Sequence, residues 1–146
     1  MTPEQLFTIA NTSVLPGWAL LIFLPRWRWT ARFVAPVLIP TLLALLYVYL
    51  IAGNLFGSEG GFRTLEGVAQ LFRSPPLLLA GWVHYLAFDL FIGAWEVRDA
   101  QANGIPHLLV IPCLLGTFML GPAGLLLYLI LRATMRRRLQ IDEQAA

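Results

Sequence analysis

Four uninterrupted apolar stretches divide the chain, at Leu6–Leu24, Val34–Ala52, Leu77–Trp95 and Leu108–Leu131, with polar and basic residues gathered between them. A helix rising 1.5 Å per residue crosses a 30 Å hydrocarbon core in about 20 residues, so each stretch predicts a transmembrane helix. The stretches do not alternate apolar and polar positions, which disfavours a membrane β-barrel. Between the second and third, Phe62, Leu65, Val68, Ala69 and Phe72 recur at helical spacing with Arg63, Glu66 and Gln70 opposite. That pattern predicts a short amphipathic helix over residues 62–73, lying in the membrane interface. The expected fold is all-α: an integral membrane bundle of four transmembrane helices, one domain over residues 1–146, ending in a basic tail at 132–146.

Composition agrees with that class. The 146 residues are 58% apolar and only 12% charged, with a mean hydropathy of +0.72, whereas water-soluble domains carry about 25% charged residues. All ten basic residues are Arg, clustered between the apolar stretches. They are assigned to membrane surfaces and to topology, and no nucleic-acid partner is expected. Four spans would put both termini on one side, with Arg63, Arg73, Arg132, Arg136, Arg137 and Arg138, against Arg26, Arg28, Arg32 and Arg98 on the other. The six-to-four count favours cytoplasmic termini, while the three arginines of the first loop favour the reverse. The first basic residue follows the first apolar stretch, so that stretch does not read as a cleaved signal and is expected to be retained. Cys113 stands alone and forms no disulfide within the chain.

Residues that are costly in lipid are the informative ones. Asn11, Thr12 and Ser13 precede Pro16 and Gly17, so the first helix is expected to kink beside its own polar triplet. Either Asn11 bonds a neighbouring helix or the kink opens a polar pocket. Pro36 and Pro40 fall where the second helix begins. The fourth stretch holds Pro112, Gly116, Thr117, Gly121, Pro122 and Gly124, read as a kink near Pro122 with close packing.

The third helix carries ionisable groups. At 100° per residue Tyr85, Asp89, Ile92 and Glu96 lie within about 60° of one another, with His84 at the margin. Asp89 falls about 4–5 Å, and His84 about 3 Å, from the bilayer midplane. An ionised Asp there costs about 2.5–3.5 kcal/mol, which marks it as a functional candidate. Hydrogen bonding between helices is the structural alternative, and for Glu96 and Asp99 a pairing with Arg98. His107, at the start of the fourth helix, either joins this cluster or caps its helix. Asn11, Trp18, Trp82, Tyr85, Glu96 and His107 are expected to bind a ligand. His84, Asp89, Glu96, Asp99 and His107 have the donor types of a divalent metal site, but their spacing matches no standard helical ligand pattern, so no metal or other cofactor is expected. Nucleophile-elbow, phosphate-loop and haem-attachment motifs are absent.

Leu6-Phe7-Thr8-Ile9-Ala10-Asn11-Thr12, Leu15-Pro16-Gly17-Trp18, Pro25-Arg26-Trp27 and above all Gly81-Trp82-Val83-His84-Tyr85-Leu86-Ala87-Phe88-Asp89-Leu90-Phe91-Ile92-Gly93, with Asp99 beyond, can be compared as a set. In these the chain resembles the neoxanthin-synthase-like family, small four-helix membrane proteins related to the abscisic-acid-deficient plant protein of plastids. The resemblance implies a carotenoid or related isoprenoid as ligand and isomerase-type chemistry, since the plant member is linked to turning the epoxide violaxanthin into the allene neoxanthin. In such a reaction an acid protonates the epoxide oxygen and a base removes a vinylic proton. The roles fall to Asp89 and His84, with Asp99 as a further catalytic candidate, although five residues of separation point the first two about 140° apart. Met1 lies just before the first helix, so the expected location is a bacterial plasma membrane. The rival expectations are a non-catalytic carotenoid- or lipid-binding protein, a metal-dependent membrane hydrolase or oxidase, and a proton or ion path, which would require a homo-oligomer.

Overall fold

The computed structural model describes residues 1–136. Among them every regular element is helical. Helix α1, Pro3–Phe23, opens with a reciprocal cap, in which the Thr2 hydroxyl accepts from the Gln5 amide and the Gln5 side chain accepts from the Thr2 amide. It runs unbroken through Pro16. Thr8, Thr12 and Ser13 turn their hydroxyls back onto the carbonyls of Glu4, Thr8 and Ala10, so these polar groups are satisfied within their own helix.

The second span starts earlier than its hydropathy suggests. Thr30–Leu38 form wide π-helical turns that continue into α2, Ile39–Asn54. In a π register the partner of the Ala31 carbonyl is residue 36, a proline with no N–H. Arg98 supplies the missing donor, its Nη1 lying 2.6 Å from that carbonyl. Helix α3, Leu65–Leu71, capped by Thr64, replaces the longer amphipathic helix expected over 62–73. Its first residue Leu65 and the preceding Phe56 and Phe62 are strongly exposed, while Leu71 is buried.

Helix α4, Pro75–Ala102, is the axis of the molecule. It extends past the expected end at Trp95, so Glu96, Arg98 and Asp99 are helical and share its register. α1, the π turns, α2 and α5 all pack on it. Val83, Leu90, Ala94 and Val97 have no exposed surface, and Gly93 lets the Trp18 ring of α1 lie against the α4 backbone. On α2, Leu42, Leu45, Val48 and Tyr49 point outward, as expected of a face solvated by lipid chains.

The single fourth helix expected over 108–131 is not formed. The chain makes α5, His107–Leu120, then α6, Pro122–Arg136, separated by Gly121 at φ +51° and ψ −103°. An L side chain rarely adopts that backbone geometry, and Pro122 then starts a fresh helix at the position that tolerates proline best. The two helices fold back on each other. A Cβ on Gly124 would overlap the Gly116 carbonyl carbon and the Thr117 amide, residues seven and eight positions earlier, about 10 Å distant along any straight helix. The 14 residues of α5 reach about 21 Å, short of a full crossing. Three helices are long and apolar enough to cross a membrane, and the fourth apolar stretch folds back as a hairpin of two shorter helices.

This hairpin changes the ends of the chain. His107 Nε2 lies 2.9 Å from the Ile22 carbonyl, Gln101 donates to the Pro25 carbonyl, and a Cβ on Gly104 would meet the Arg136 guanidinium. Arg136 therefore stands at the end of the bundle opposite the N-terminus, where the expected topology placed both ends together. Of the basic tail expected at 132–146, residues 132–136 are the last turn of α6; the remainder, with Arg137 and Arg138, lies outside the described residues.

Candidate functional site

One face of α4 carries, in order, Leu78, Trp82, Tyr85, Asp89, Glu96 and Asp99, since steps of three, four and seven residues return to the same side of a helix. The hairpin divides this face into two halves that differ in chemistry.

Under the hairpin the polar groups are enclosed. Glu96 has no exposed surface and its Oε1 accepts the Thr117 hydroxyl at 2.8 Å. Asp99 Oδ2 accepts both Arg132 Nε at 2.7 Å and the Tyr128 hydroxyl at 2.6 Å. Tyr128 is fully buried and stands edge-on to Trp95 at 5.5 Å. Tyr128 and Arg132 are one helical turn apart on α6 and so reach the same carboxylate. These bonds tie α6 and α5 to α4. Asp99, expected as catalytic and as a partner of Arg98, is instead an internal ion-pair member, while Arg98 serves the Ala31 carbonyl.

At the tip of the hairpin the enclosure ends. A Cβ on Gly121 would lie 3.0 Å from Asp89 Oδ1 and 3.2 Å from Tyr85 Cε2, so the turn rests directly on this pair. Asp89 Oδ2 is buried and has no hydrogen-bond partner among the described residues; Glu96 Oε2 shares that condition. Leaving such an acceptor unmet costs about 1–3 kcal/mol. Toward the N-terminal end the same face of α4 is no longer covered by the hairpin. Trp82 stacks on Tyr85 at 5.3 Å and meets Phe7 of α1 at 5.8 Å, and its Nε1 donates to Asn11 Oδ1 at 2.9 Å. Phe7, Leu78 and Trp82 are 44%, 53% and 40% exposed. Phe7, Leu78 and Trp82 thus form an exposed apolar surface next to Tyr85 and Asp89, whose carboxylate lies against the turn.

Of the expected site residues, Asn11, Trp82, Tyr85 and Asp89 come together here. Others do not. His84 is exposed on a different face of α4, stacked on Phe88 at 4.4 Å and near Tyr47 at 5.9 Å, so the imidazole expected to act with Asp89 points away from it. Trp18 is a core residue, packed on Gly93 and on Phe118 at 5.3 Å. His107 ties α5 to α1. The five residues weighed as metal ligands are dispersed, and among the described residues no three His, Cys, Asp or Glu side chains converge on a common point. Four contributors escaped the sequence: Gly121, Thr117, Tyr128 and Arg132. Their signal, a Gly-Pro pair with a Tyr and an Arg four residues apart, was present, but a straight fourth helix would carry Arg132 to the far side of the membrane from Asp99.

The sequence profile of the ABA DEFICIENT 4-like family matches residues 5–128, a stretch that includes both halves of the α4 face and ends at Tyr128. Protein ABA DEFICIENT 4, chloroplastic, from Arabidopsis thaliana is 28% identical over 110 residues, 70% of this chain and 50% of that protein. The chain thus spans about half the length of the curated relative it matches. No solved structure matches it.

Proposed function

The chain belongs to the ABA DEFICIENT 4-like family, and on that premise we propose that it acts on a carotenoid or related isoprenoid within the membrane, as an isomerase-type enzyme working at Asp89. The observation that carries this reading is the placement of Asp89, with its buried and unmet Oδ2, and Tyr85 beside the exposed rings of Trp82 and Phe7 on one face of α4.

Tyr85 and Asp89 are the two proton-transferring groups on this face of α4. Isomerisation of an epoxide to an allenic alcohol leaves the formula unchanged: one group protonates the ligand oxygen, another removes a proton from carbon, and the two then exchange. Residues one turn apart suit that exchange. In this scheme the Tyr85 hydroxyl protonates the ligand oxygen and the ionised Asp89 carboxylate takes the proton from carbon, after which the proton passes from Asp89 back to Tyr85; His84 has no part, because it lies on another face. Asp99 and Glu96 support the hairpin and thereby the floor. Phe56, Phe62 and Leu65 around α3 sit in this reading at the membrane surface.

The outward position of His84 favours one second reading, a carotenoid-binding protein without turnover. Both are tested by incubating the purified chain in lipid nanodiscs with violaxanthin and separating isomers by chromatography. Conversion that is lost in Asp89→Asn supports the enzyme. Retention of pigment by the unaltered chain without any new isomer supports the binder, and neither retention nor conversion overturns both.

A further inference from the structure

The two ends of the bundle differ in exposed charge. At the end away from the N-terminus the exposed charged side chains among the described residues are Arg26, Arg28, Arg32 and Arg136, while the carboxyl groups there, Glu96 and Asp99, are engaged inside by Thr117 and by Tyr128 and Arg132. At the opposite end Glu4, Glu59 and Glu66 stand against Arg63 and Arg73. The basic end also has a fixed shape. Residues 24–31 link α1 to the π turns, and their carbonyls are engaged from within: Leu24 accepts from the Trp27 amide and the Thr30 hydroxyl, Pro25 from Gln101, Trp27 from the Thr30 amide and Ala31 from Arg98. These acceptors face protein donors, so what the loop turns outward is its arginines.

One of those arginines sits on a column of rings. The Arg28 guanidinium lies 4.7 Å over Trp29, whose ring meets Phe33 edge-on at 5.9 Å, and all three side chains are exposed. The 21 residues of α1 cover about 31 Å, so the loop that follows stands where hydrocarbon gives way to headgroups. Phe33, in the π turns, re-enters the apolar layer. A cation at headgroup depth with rings beneath it matches the order of phosphate and acyl chain in a phospholipid.

We propose that this surface is a binding site for an anionic phospholipid, with the phosphate held by Arg28 and Arg32 and an acyl chain laid along Trp29 and Phe33. Guanidinium groups suit phosphate oxygens because their N–H groups form a planar fork. Arg26, Arg28 and Arg32, with no exposed carboxylate beside them among the described residues, favour a headgroup of net negative charge over a zwitterionic one. Each such cation near a membrane surface is worth about fivefold in affinity. A free phosphate would leave the rings without a role, and an acidic protein segment approaching from water would meet the arginines but not Phe33. The site lies at the other end of α4 from Trp82 and is independent of what Asp89 does.

The test uses the full chain in detergent with equal amounts of phosphatidylglycerol and phosphatidylcholine of identical acyl chains, and native mass spectrometry counts each lipid retained. The unaltered chain is expected to keep phosphatidylglycerol over phosphatidylcholine by about tenfold, and to lose most of that preference when the ionic strength is raised about tenfold. Arg28→Gln combined with Arg32→Gln should bring the ratio down to about twofold or less. Arg63→Gln combined with Arg73→Gln, at the other end, should leave it near the unaltered value. Both pairs change exposed side chains and remove the same charge, so a loss through misfolding or net charge alone would show in both. Equal retention of the two lipids by the unaltered chain, or equal losses in the two double variants, overturns the proposal. Displacement of the lipid by millimolar glycerol phosphate also overturns it, by making the surface a site for a free phosphate. Equal lipid retention together with binding of a polyglutamate peptide that the Arg28 and Arg32 changes abolish would assign the surface to an acidic protein partner instead.

Discussion

Arg132 Nε stands 2.7 Å from Asp99 Oδ2, both side chains nearly enclosed, at 4% and 8% exposure. This pair joins the returning arm of the hairpin to the central helix. Breaking a buried ion pair by removing one partner costs about 3–5 kcal/mol, because the other charge stays behind. Arg132→Met is therefore expected to lower the unfolding midpoint in detergent strongly. In the double variant with Asp99→Asn the loss should be smaller than the sum of the two single losses, a coupling that a thermodynamic cycle reads directly. Additive losses would show that the contact carries no weight.

Gly121 is under two constraints at once, a positive φ and the Asp89 carboxylate 3.0 Å from where its Cβ would stand. Gly121→Val is expected to destabilise the chain, since a β-branched residue at φ +51° and ψ −103° is a strong outlier, and to move the tip off Asp89. Thermal unfolding checks the first effect. The second appears as a weaker response of ligand binding to Asp89→Leu in the Gly121→Val background than in the unaltered chain.

The packing of Trp18 on Gly93 makes a matched pair of glycine substitutions informative. A Cβ at Gly93 would stand 2.7 Å from the indole, whereas one at Gly53 meets nothing within 4 Å. Gly93→Ala should destabilise by about 1–3 kcal/mol through overpacking. Gly53→Ala should be neutral or gain up to about 1 kcal/mol in helix propensity. Unfolding midpoints of the two variants, measured side by side, decide it.

Topology is open to labelling. With the hairpin in place, Arg26, Arg28, Arg32, Arg98, Arg132 and Arg136 gather at the end away from the N-terminus, and Arg63 and Arg73 at the other. The positive-inside rule then puts the six-arginine end in the cytoplasm. Single cysteines at Ala102 and Arg136 should react with a membrane-impermeant maleimide from the same side, and one at Glu59 from the other; the buried Cys113 gives little background. Reaction of the Arg136 and Glu59 positions from one side would restore the four-crossing topology and remove the hairpin.

Much of the site was legible in residue spacing. Tyr85, Asp89 and Glu96 share a face because helical geometry is local, and the same geometry warned that His84 and Asp89 diverge. Asn11 as a bond between helices was also readable, since an amide among lipid chains needs a partner; that Trp82 provides it was not. The division of the α4 face into a sealed and an open half depended on how far the hairpin reaches, which no periodicity within α4 encodes.

Hydrophobicity and 3.6-residue periodicity by themselves determined that this is a helical membrane protein with its costly carboxyl groups on its third long helix, because both properties are summed over neighbours in the chain. Whether the last apolar stretch crosses or turns back was decided only in three dimensions. The lipid-facing composition is the same either way. The choice rests on contacts between residues far apart in sequence: Gly124 on Gly116, Thr117 on Glu96, and Tyr128 and Arg132 on Asp99. Those contacts set the tip of the turn against Asp89 and leave Trp82 and Leu78 uncovered on the same helix face.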